Sequence, residues 1–425
     1  MTITERIDNI TRIPPEFMHA RPPAPKSVKI EISPRCNYRC GFCALRTREV
    51  QPKWDMDFNL FKRITREMRE AGVEEVGMFY LGESFMNPRL LVDCIAYTKQ
   101  ELHFPYVFLT SNASMAFPEA LEACMKAGLD SLKWSVNAAD EEQFEKVMGV
   151  SGRLFHRALA NIRSAWEIRK SGGYSTGIYA SSIRYDGEQQ QKMEILLHEK
   201  VKPYVDQHYW LPLYSMGAFA IQREEQLGYR PTAGNQGRLD ALREPLPCWS
   251  AFTEGHVTAE GRLSACCFDA TANWTMGDLN KVSFMDAWNS DLFTNLRAAH
   301  LKRDVRGTVC ENCIAYGRTC THRSKPPTTW IPCCRTALPT VKRRCRIGDS
   351  GGAICCLSCR AAWASASPHT GWRETLPRWA RWARSPASIC VITIRTCWHK
   401  RSTAMIRRHW TGSIWSHSTA KSAMH

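Results

Sequence analysis

The sequence predicts an α/β fold, with six strand–helix units forming a parallel sheet followed by a small cysteine-rich domain. Three observations predict it. Apolar strand-like runs alternate with helix-period segments, the order that a parallel sheet requires. The runs end in polar or glycine-containing strings. Two sets of cysteines, Cys36/Cys40/Cys43 and Cys248/Cys266/Cys310/Cys313, fall at ligand spacings on either side of most of that region.

The first strand is Val28–Ser33, and it leads straight into Cys36-Asn-Tyr-Arg-Cys40-Gly-Phe-Cys43. Phe58, Phe61, Ile64 and Met68 recur at helical spacing, and Gly72 stands where a C-terminal stop belongs. The second apolar run, Val76–Leu81, ends in Gly82-Glu83-Ser84, and a helix follows through Leu90, Leu91 and Tyr97. Tyr106–Thr110 ends in Ser111-Asn112, a helix spans about 117–127, and Ser131–Val136 ends in Asn137. A helix at about 153–170, the strand Gly177–Ser181, a helix at about 188–202 and the strand His208–Leu213 complete the six units. In barrels of such units chemistry gathers at the C-terminal strand ends, because the loops converge there.

Three thiolates on one short loop can hold three irons of a [4Fe–4S] cluster and leave the fourth iron open to a small molecule. The competing reading is a structural zinc site that draws a fourth ligand from elsewhere. The C-x3-C-x-aromatic-C loop after a first strand, with Phe42 in the aromatic slot, resembles the radical S-adenosylmethionine (SAM) superfamily. The resemblance implies a partial (β/α)6 TIM-like barrel whose open iron chelates the amino and carboxylate groups of SAM. It also implies reductive cleavage of SAM to a 5′-deoxyadenosyl radical. Residue by residue, it places Tyr80, Gly82 and Glu83 at the SAM ammonium and Ser111 and Asn112 at the third-strand turn. Ser135 and Asn137 fall at the ribose. Ser181, Ser182 and Arg184 close the fifth strand, with Arg184 paired to the SAM carboxylate, and Leu211 and Pro212 border the adenine.

A second chemical signal lies further on. Cys248-x12-Gly261-x4-Cys266 describes a hairpin whose glycine turn returns two cysteines to one place, and Cys310-x2-Cys313 forms a knuckle. Four such thiolates suit zinc or a closed cluster. The arrangement resembles the SPASM and twitch extensions of radical SAM enzymes, which carry auxiliary [4Fe–4S] clusters. Cys320 follows the knuckle after six intervening residues and the next cysteine is Cys333, which favours the shorter twitch type with one auxiliary cluster. Cys267 and Tyr214 are candidate hydrogen donors. Cys94 and Cys124 fall in helix patterns and read as core.

These readings divide the chain into a Pro-rich lead-in at 1–25, a barrel at 26–235, an auxiliary domain at 236–325 and a tail at 326–425. The tail has sixteen Lys and Arg against Asp349 and Glu374, a net of +14, so the +16 of the whole chain leaves about +2 for residues 1–325. It holds eight of the 19 cysteines and eight of the 15 tryptophans, yet no Phe, Tyr, Asn or Gln. A basic, Trp-rich segment suits an anionic membrane surface or nucleic acid. Missing four ordinary residue types over a hundred positions instead suits translation in a shifted frame, with the authentic frame ending between Cys313 and Trp330. The basic balance is therefore no guide to partners, and neither nucleic acid nor membrane is expected as one.

No run approaches the roughly 18 apolar residues of a membrane span, and cysteines at ligand spacing suggest a reducing cytoplasm. The resemblance implies an electron donor such as flavodoxin or ferredoxin. Its substrate classes are a small molecule or sugar, dehydrogenated or epimerised, and a ribosomal peptide or protein. Peptide maturases of this kind carry a leader-binding module, for which about 26 residues before the first strand leave little room. A non-catalytic iron–sulfur or zinc protein is the third reading.

Overall fold

Alternation along the strands sets the layers. In β3 (Tyr106–Ser111) and β4 (Ser131–Ser135), Val107, Leu109, Leu132 and Trp134 are fully buried in the core. Tyr106, Phe108, Lys133 and Ser135, on the opposite face, are half-buried. The computed structural model describes residues 2–43, 45, 53–185, 187–211, 246–267 and 274–311, and the backbone of 235–236 and 242–243.

The first six strands are parallel and sequential: β1 (Ser27–Ile30), β2 (Glu75–Gly77), β3, β4, β5 (Gly177–Ile183) and β6 (Gln207–Leu211). Between them run α2 (Phe58–Glu70), α3 (Pro88–Ala96), α4 (Pro118–Ala127), α5 (Glu141–Met148), α6 (Arg153–Gly172) and α7 (Gly187–Leu196). Two-residue strands β7 (Asn235–Gln236) and β8 (Leu242–Arg243) pair with each other. The cysteine-rich portion adds β9 (Glu254–Val257), β10 (Arg262–Ser264), β11 (Thr275–Asp278), α8 (Phe284–Trp288) and α9 (Asp291–Leu301).

This portion does not stand apart. β9 pairs in parallel with β1, Lys29 opposite His256, and β10 and β11 continue antiparallel, so one nine-stranded sheet runs β11-β10-β9-β1-β2-β3-β4-β5-β6. Gly261 makes the β9–β10 turn at φ +78°, as its place in the hairpin predicts.

The second strand is shorter than its apolar run. Pairing ends at Gly77, where a Cβ would come 2.7 Å from the Phe108 ring, and Phe79 then packs edge-on to Phe108 at 5.6 Å. The Ser84 hydroxyl turns back to the Met78 carbonyl, which draws Phe79–Glu83 out of the sheet.

The lead-in is also more than a linker. Residues Ile3–Thr11 form α1, started by a capping box between Thr2 and Glu5. The Arg6 guanidinium pairs with Glu75 and lies 3.7 Å over the Tyr106 ring, while Gln207 bonds the Ile3 amide and the Thr4 hydroxyl. Those partners are the first residues of β2, β3 and β6, so α1 covers the N-terminal ends of the strands, opposite to where the loops gather. At the other flank, the buried Arg297 guanidinium lies 4.0 Å from the Trp288 ring and 3.9 Å from that of Phe293. It donates to the carbonyls of Ala251 and Trp288. Burial holds its pKa down to about 9.

Cys94 and Cys124 are buried core residues, as their helix positions predict. Among the described residues no helix is long and apolar enough to cross a membrane. Pro212, Tyr214, Cys313, Cys320 and the basic tail lie outside the described residues.

Candidate active site

The cysteine loop leaves the end of β1 and is held by three devices. Gly82 is the first. A Cβ there would come 1.8 Å from the Ser33 carbonyl oxygen, and the Glu83 amide donates to the Arg35 carbonyl at 2.8 Å. The chain can therefore lie against Ser33–Arg35 only with glycine at this point.

Asp55 is the second device. It accepts from the Ser33 hydroxyl at 2.7 Å, from Arg35 at 3.1 and 2.6 Å, and from Asn87 at 2.9 Å. Burial works against its ionisation, but the Arg35, Ser33 and Asn87 hydrogen bonds outweigh that and hold its carboxyl below the usual range.

The third is α5, which the sequence reading did not separate from its surroundings. Asp140 caps it by accepting from the Gln143 amide at 2.8 Å. Its C-terminal carbonyls, Met148 and Val147, receive the amides of Arg39 and Gly41, and Met148 Sδ lies 3.3 Å from Cys40 Sγ.

Glu83 is buried at 2 % exposure and its carboxylate is already occupied. Oε1 accepts from the Ser111 hydroxyl at 2.9 Å and from the Phe85 amide at 3.2 Å, and Oε2 accepts from the Asn112 amide at 2.7 Å. Burial raises its pKa despite these bonds. Glu83 thus ties the loop after β2 to the end of β3, a joining role that the sequence reading did not give it. Asn112 in turn bonds Asn37 at 2.9 Å and lies 3.9 Å from Cys36 Sγ. Burial, reinforced by the nearby Glu83 charge, pushes the Cys36 thiol up to about 12.

One cavity of about 230 Å³ opens where these strand ends meet. Its wall includes Cys36, Cys40, Cys43, Tyr80, Gly82, Glu83, Ser111, Asn112, Ser135 and Asn137, ten of the residues the sequence reading selects. Four other selected residues do not line it, among them Ser182, whose hydroxyl lies 3.0 Å from His208 Nε2. Ser181 is buried with its carbonyl bonded to Val136, Arg184 is exposed over the Trp210 ring, and the Leu211 carbonyl accepts from the Arg184 amide.

The donor set fits an iron–sulfur cluster. Three soft sulfurs share one wall, and the half-buried Cys36, whose thiol is pushed up, needs a positive partner to become a thiolate, which iron would supply. Among the described residues no three Cys, His, Asp or Glu side chains converge on a single ion position.

Of the second cysteine set, Cys248 and Cys310 meet at one histidine. His300, fully buried on α9, accepts the Cys248 amide at Nδ1 (3.1 Å) and has Nε2 3.4 Å from Cys310 Sγ. The Tyr80 hydroxyl donates to the Cys266 carbonyl at 2.9 Å. Behind Phe79 and Tyr80 lies a buried charged group, with Lys29 Nζ 2.6 Å and His256 Nε2 3.1 Å from the Glu254 carboxylate. Burial opposes ionisation of Glu254, yet Lys29 and His256 hold its pKa down to about 2. None of α5, Asp55, His300 or this group was read from the sequence. Only α5 left a signal, Asp140 with Gln143 three residues later.

Two family models match the chain, the radical SAM superfamily over residues 30–180 and the SPASM iron–sulfur cluster-binding domain over 248–314. The chain is a radical SAM protein with a SPASM-type auxiliary iron–sulfur domain.

The chain is similar to the S-adenosylmethionine-dependent nucleotide dehydratase RSAD2 of Danio rerio, at 33% identity over 138 residues, 31% of this chain and 36% of that protein. The chain thus spans about a third of that relative's length. A probable GTP 3′,8-cyclase of Thermoplasma volcanium is 26% identical over 65% of this chain and 89% of its own length. The PqqA peptide cyclase of Xanthomonas axonopodis is 21% identical over 68% and 80%. The fold is that of SuiB from Streptococcus suis, solved bound to precursor peptide SuiA, with a TM-score of 0.51 and 15% identity over 70% of this chain and 71% of that one.

Proposed function

We propose that the chain reductively cleaves SAM at a [4Fe–4S] cluster held by Cys36, Cys40 and Cys43, and that it abstracts a hydrogen atom from a small-molecule or sugar-type substrate. The cavity that collects these thiols with Gly82, Glu83 and the ends of β3 and β4 carries this reading. When bound, the cluster supplies the electron that breaks the sulfonium and yields the 5′-deoxyadenosyl radical. Tyr80 and Gly82 then offer backbone to the SAM ammonium, and Ser135 and Asn137 offer polar groups to its ribose. Glu83 keeps Ser111 and Asn112 in register with the loop rather than spending its carboxylate on the ligand.

The relatives named for nucleotide dehydration and GTP cyclisation support a small substrate carrying a sugar. Cys248, Cys266, Cys310 and Cys313 hold one auxiliary [4Fe–4S] cluster able to accept a substrate electron, which suits dehydrogenation. Epimerisation needs a hydrogen donor instead, and Cys267 or Tyr214 is the candidate. A second reading, peptide modification, is favoured by the match to 80% of a PqqA peptide cyclase. A cytoplasmic setting with flavodoxin or ferredoxin as donor completes the proposal.

Anaerobically reconstituted protein with dithionite should form 5′-deoxyadenosine, and zinc in place of iron in the same sample would reject the reading. Candidate substrates fed in deuterated water separate the outcomes by mass. Loss of two units marks dehydrogenation, gain of one without oxidation marks epimerisation, and a modified peptide as sole product selects the second reading.

A further inference from the structure

His300 sits where two sequence-distant cysteines meet. It lies fully buried on α9, edge-on to Phe252 at 6.3 Å between ring centroids. Its Nδ1 is 3.1 Å from the backbone nitrogen of Cys248, and its Nε2 is 3.4 Å from Cys310 Sγ. A backbone N–H can only donate, so Nδ1 must carry the lone pair. The neutral ring then has its single proton on Nε2, directed at the Cys310 sulfur. The tautomer follows from the Cys248 contact alone.

We infer that His300 is a positioning residue for the auxiliary cluster, donating Nε2–H to the Cys310 thiolate while its Nδ1 fixes the backbone of Cys248. One imidazole thus sets two ligands, and its donor stabilises the more negative, reduced form of the cluster. Hydrogen bonds to ligand sulfurs and burial are the protein's means of raising a cluster's potential. The inference rests on the reading that Cys248 and Cys310 are cluster ligands. It adds a determinant of potential that neither cysteine spacing nor family membership supplies. A purely structural histidine would hold α9 in place without affecting the potential.

The test uses the full chain, reconstituted anaerobically, with Cys36, Cys40 and Cys43 replaced by Ala so that only the auxiliary cluster gives a signal. EPR-monitored redox titration compares His300 with His300→Leu, which removes the donor, and His300→Gln, which keeps an N–H. A more negative midpoint in the Leu variant, restored toward the parent in the Gln variant, is expected. Loss of auxiliary iron in Leu but not in Gln also supports the assignment. An unchanged midpoint in a fully loaded Leu variant overturns it, as does failure of both variants to fold. Cys310→Ala is the separate arm. Retention of auxiliary iron there would sink the ligand reading itself, whereas its loss beside an unchanged Leu midpoint would sink only the role of His300.

Discussion

The Tyr80 hydroxyl meets the carbonyl of Cys266 at 2.9 Å, and the same tyrosine lines the cavity that holds Cys36, Cys40 and Cys43. Its ring packs on His256 at 5.4 Å. One side chain therefore forms part of the wall of the first cysteine site and part of the support of the second. Tyr80→Phe keeps the ring and removes one hydrogen bond, so a loss of about 1 kcal/mol is expected. Chemical denaturation should register it while 5′-deoxyadenosine formation stays near wild type. Tyr80→Ala also removes the half-buried ring and should cost about 2–3 kcal/mol, below the cost of deleting a fully buried aromatic. Equal losses in the two variants would show that the hydroxyl, and not the ring, is the tie.

Gly82→Ala should be far more damaging than its one methyl suggests. The new carbon would sit 1.8 Å from the Ser33 carbonyl oxygen, so the backbone leading to Cys36 has to move. A cost of about 3 kcal/mol or more is expected, together with loss of iron from the first site. Full iron loading in this variant would contradict the account of how the loop is seated.

Replacing Cys36, Cys40 and Cys43 together by Ala should abolish SAM cleavage and leave the auxiliary iron in place, about four irons per chain for one cubane. Iron analysis beside the 5′-deoxyadenosine assay decides it. Complete iron loss would mean that the two sites load as one.

Acid should weaken the protein before its carboxylates titrate. Burial on β6 lowers the His208 pKa to about 4, with Nε2 3.0 Å from the Ser182 hydroxyl. The unfolded chain takes up a proton near pH 6.5 and the folded one does not. This contribution is therefore complete above pH 6.5 and lost as pH falls from there toward 4. Its size is on the order of 2–3 kcal/mol. His208→Gln should flatten that part of the stability profile between pH 7 and 5 in urea titrations. An unaltered profile would reject the assignment.

The six parallel strands were legible because apolar runs that end in polar or glycine-containing strings alternate with helix-period segments, and Cys36, Cys40 and Cys43 because their spacing has few other uses. The end of β2 was not legible. Val76–Leu81 is uniformly apolar, and only the Phe79–Phe108 and Ser84–Met78 contacts reveal that the chain departs at Gly77. Arg184 looked like an anion partner because it follows a strand end, whereas the structure leaves it exposed over Trp210. Glu83 was legible as a site residue but not as one whose oxygens are spent on Ser111, Phe85 and Asn112. The Phe85 amide is a local donor, but Ser111 and Asn112 are brought there by the fold and not by nearness in sequence.

The parallel pairing of β9 with β1 has a consequence for engineering. β1 is an inner strand, flanked by β2 on one side and by β9 on the other. Excising residues 246–311 would strip a row of backbone partners from the strand that launches the cysteine loop and expose a raw sheet edge at the heart of the molecule. The chain therefore cannot be cut into interchangeable cassettes. Any chimera that replaces the auxiliary portion must bring its own strand, in the register of Ser27 with Glu254 and Ile30 with Val257, to close that edge.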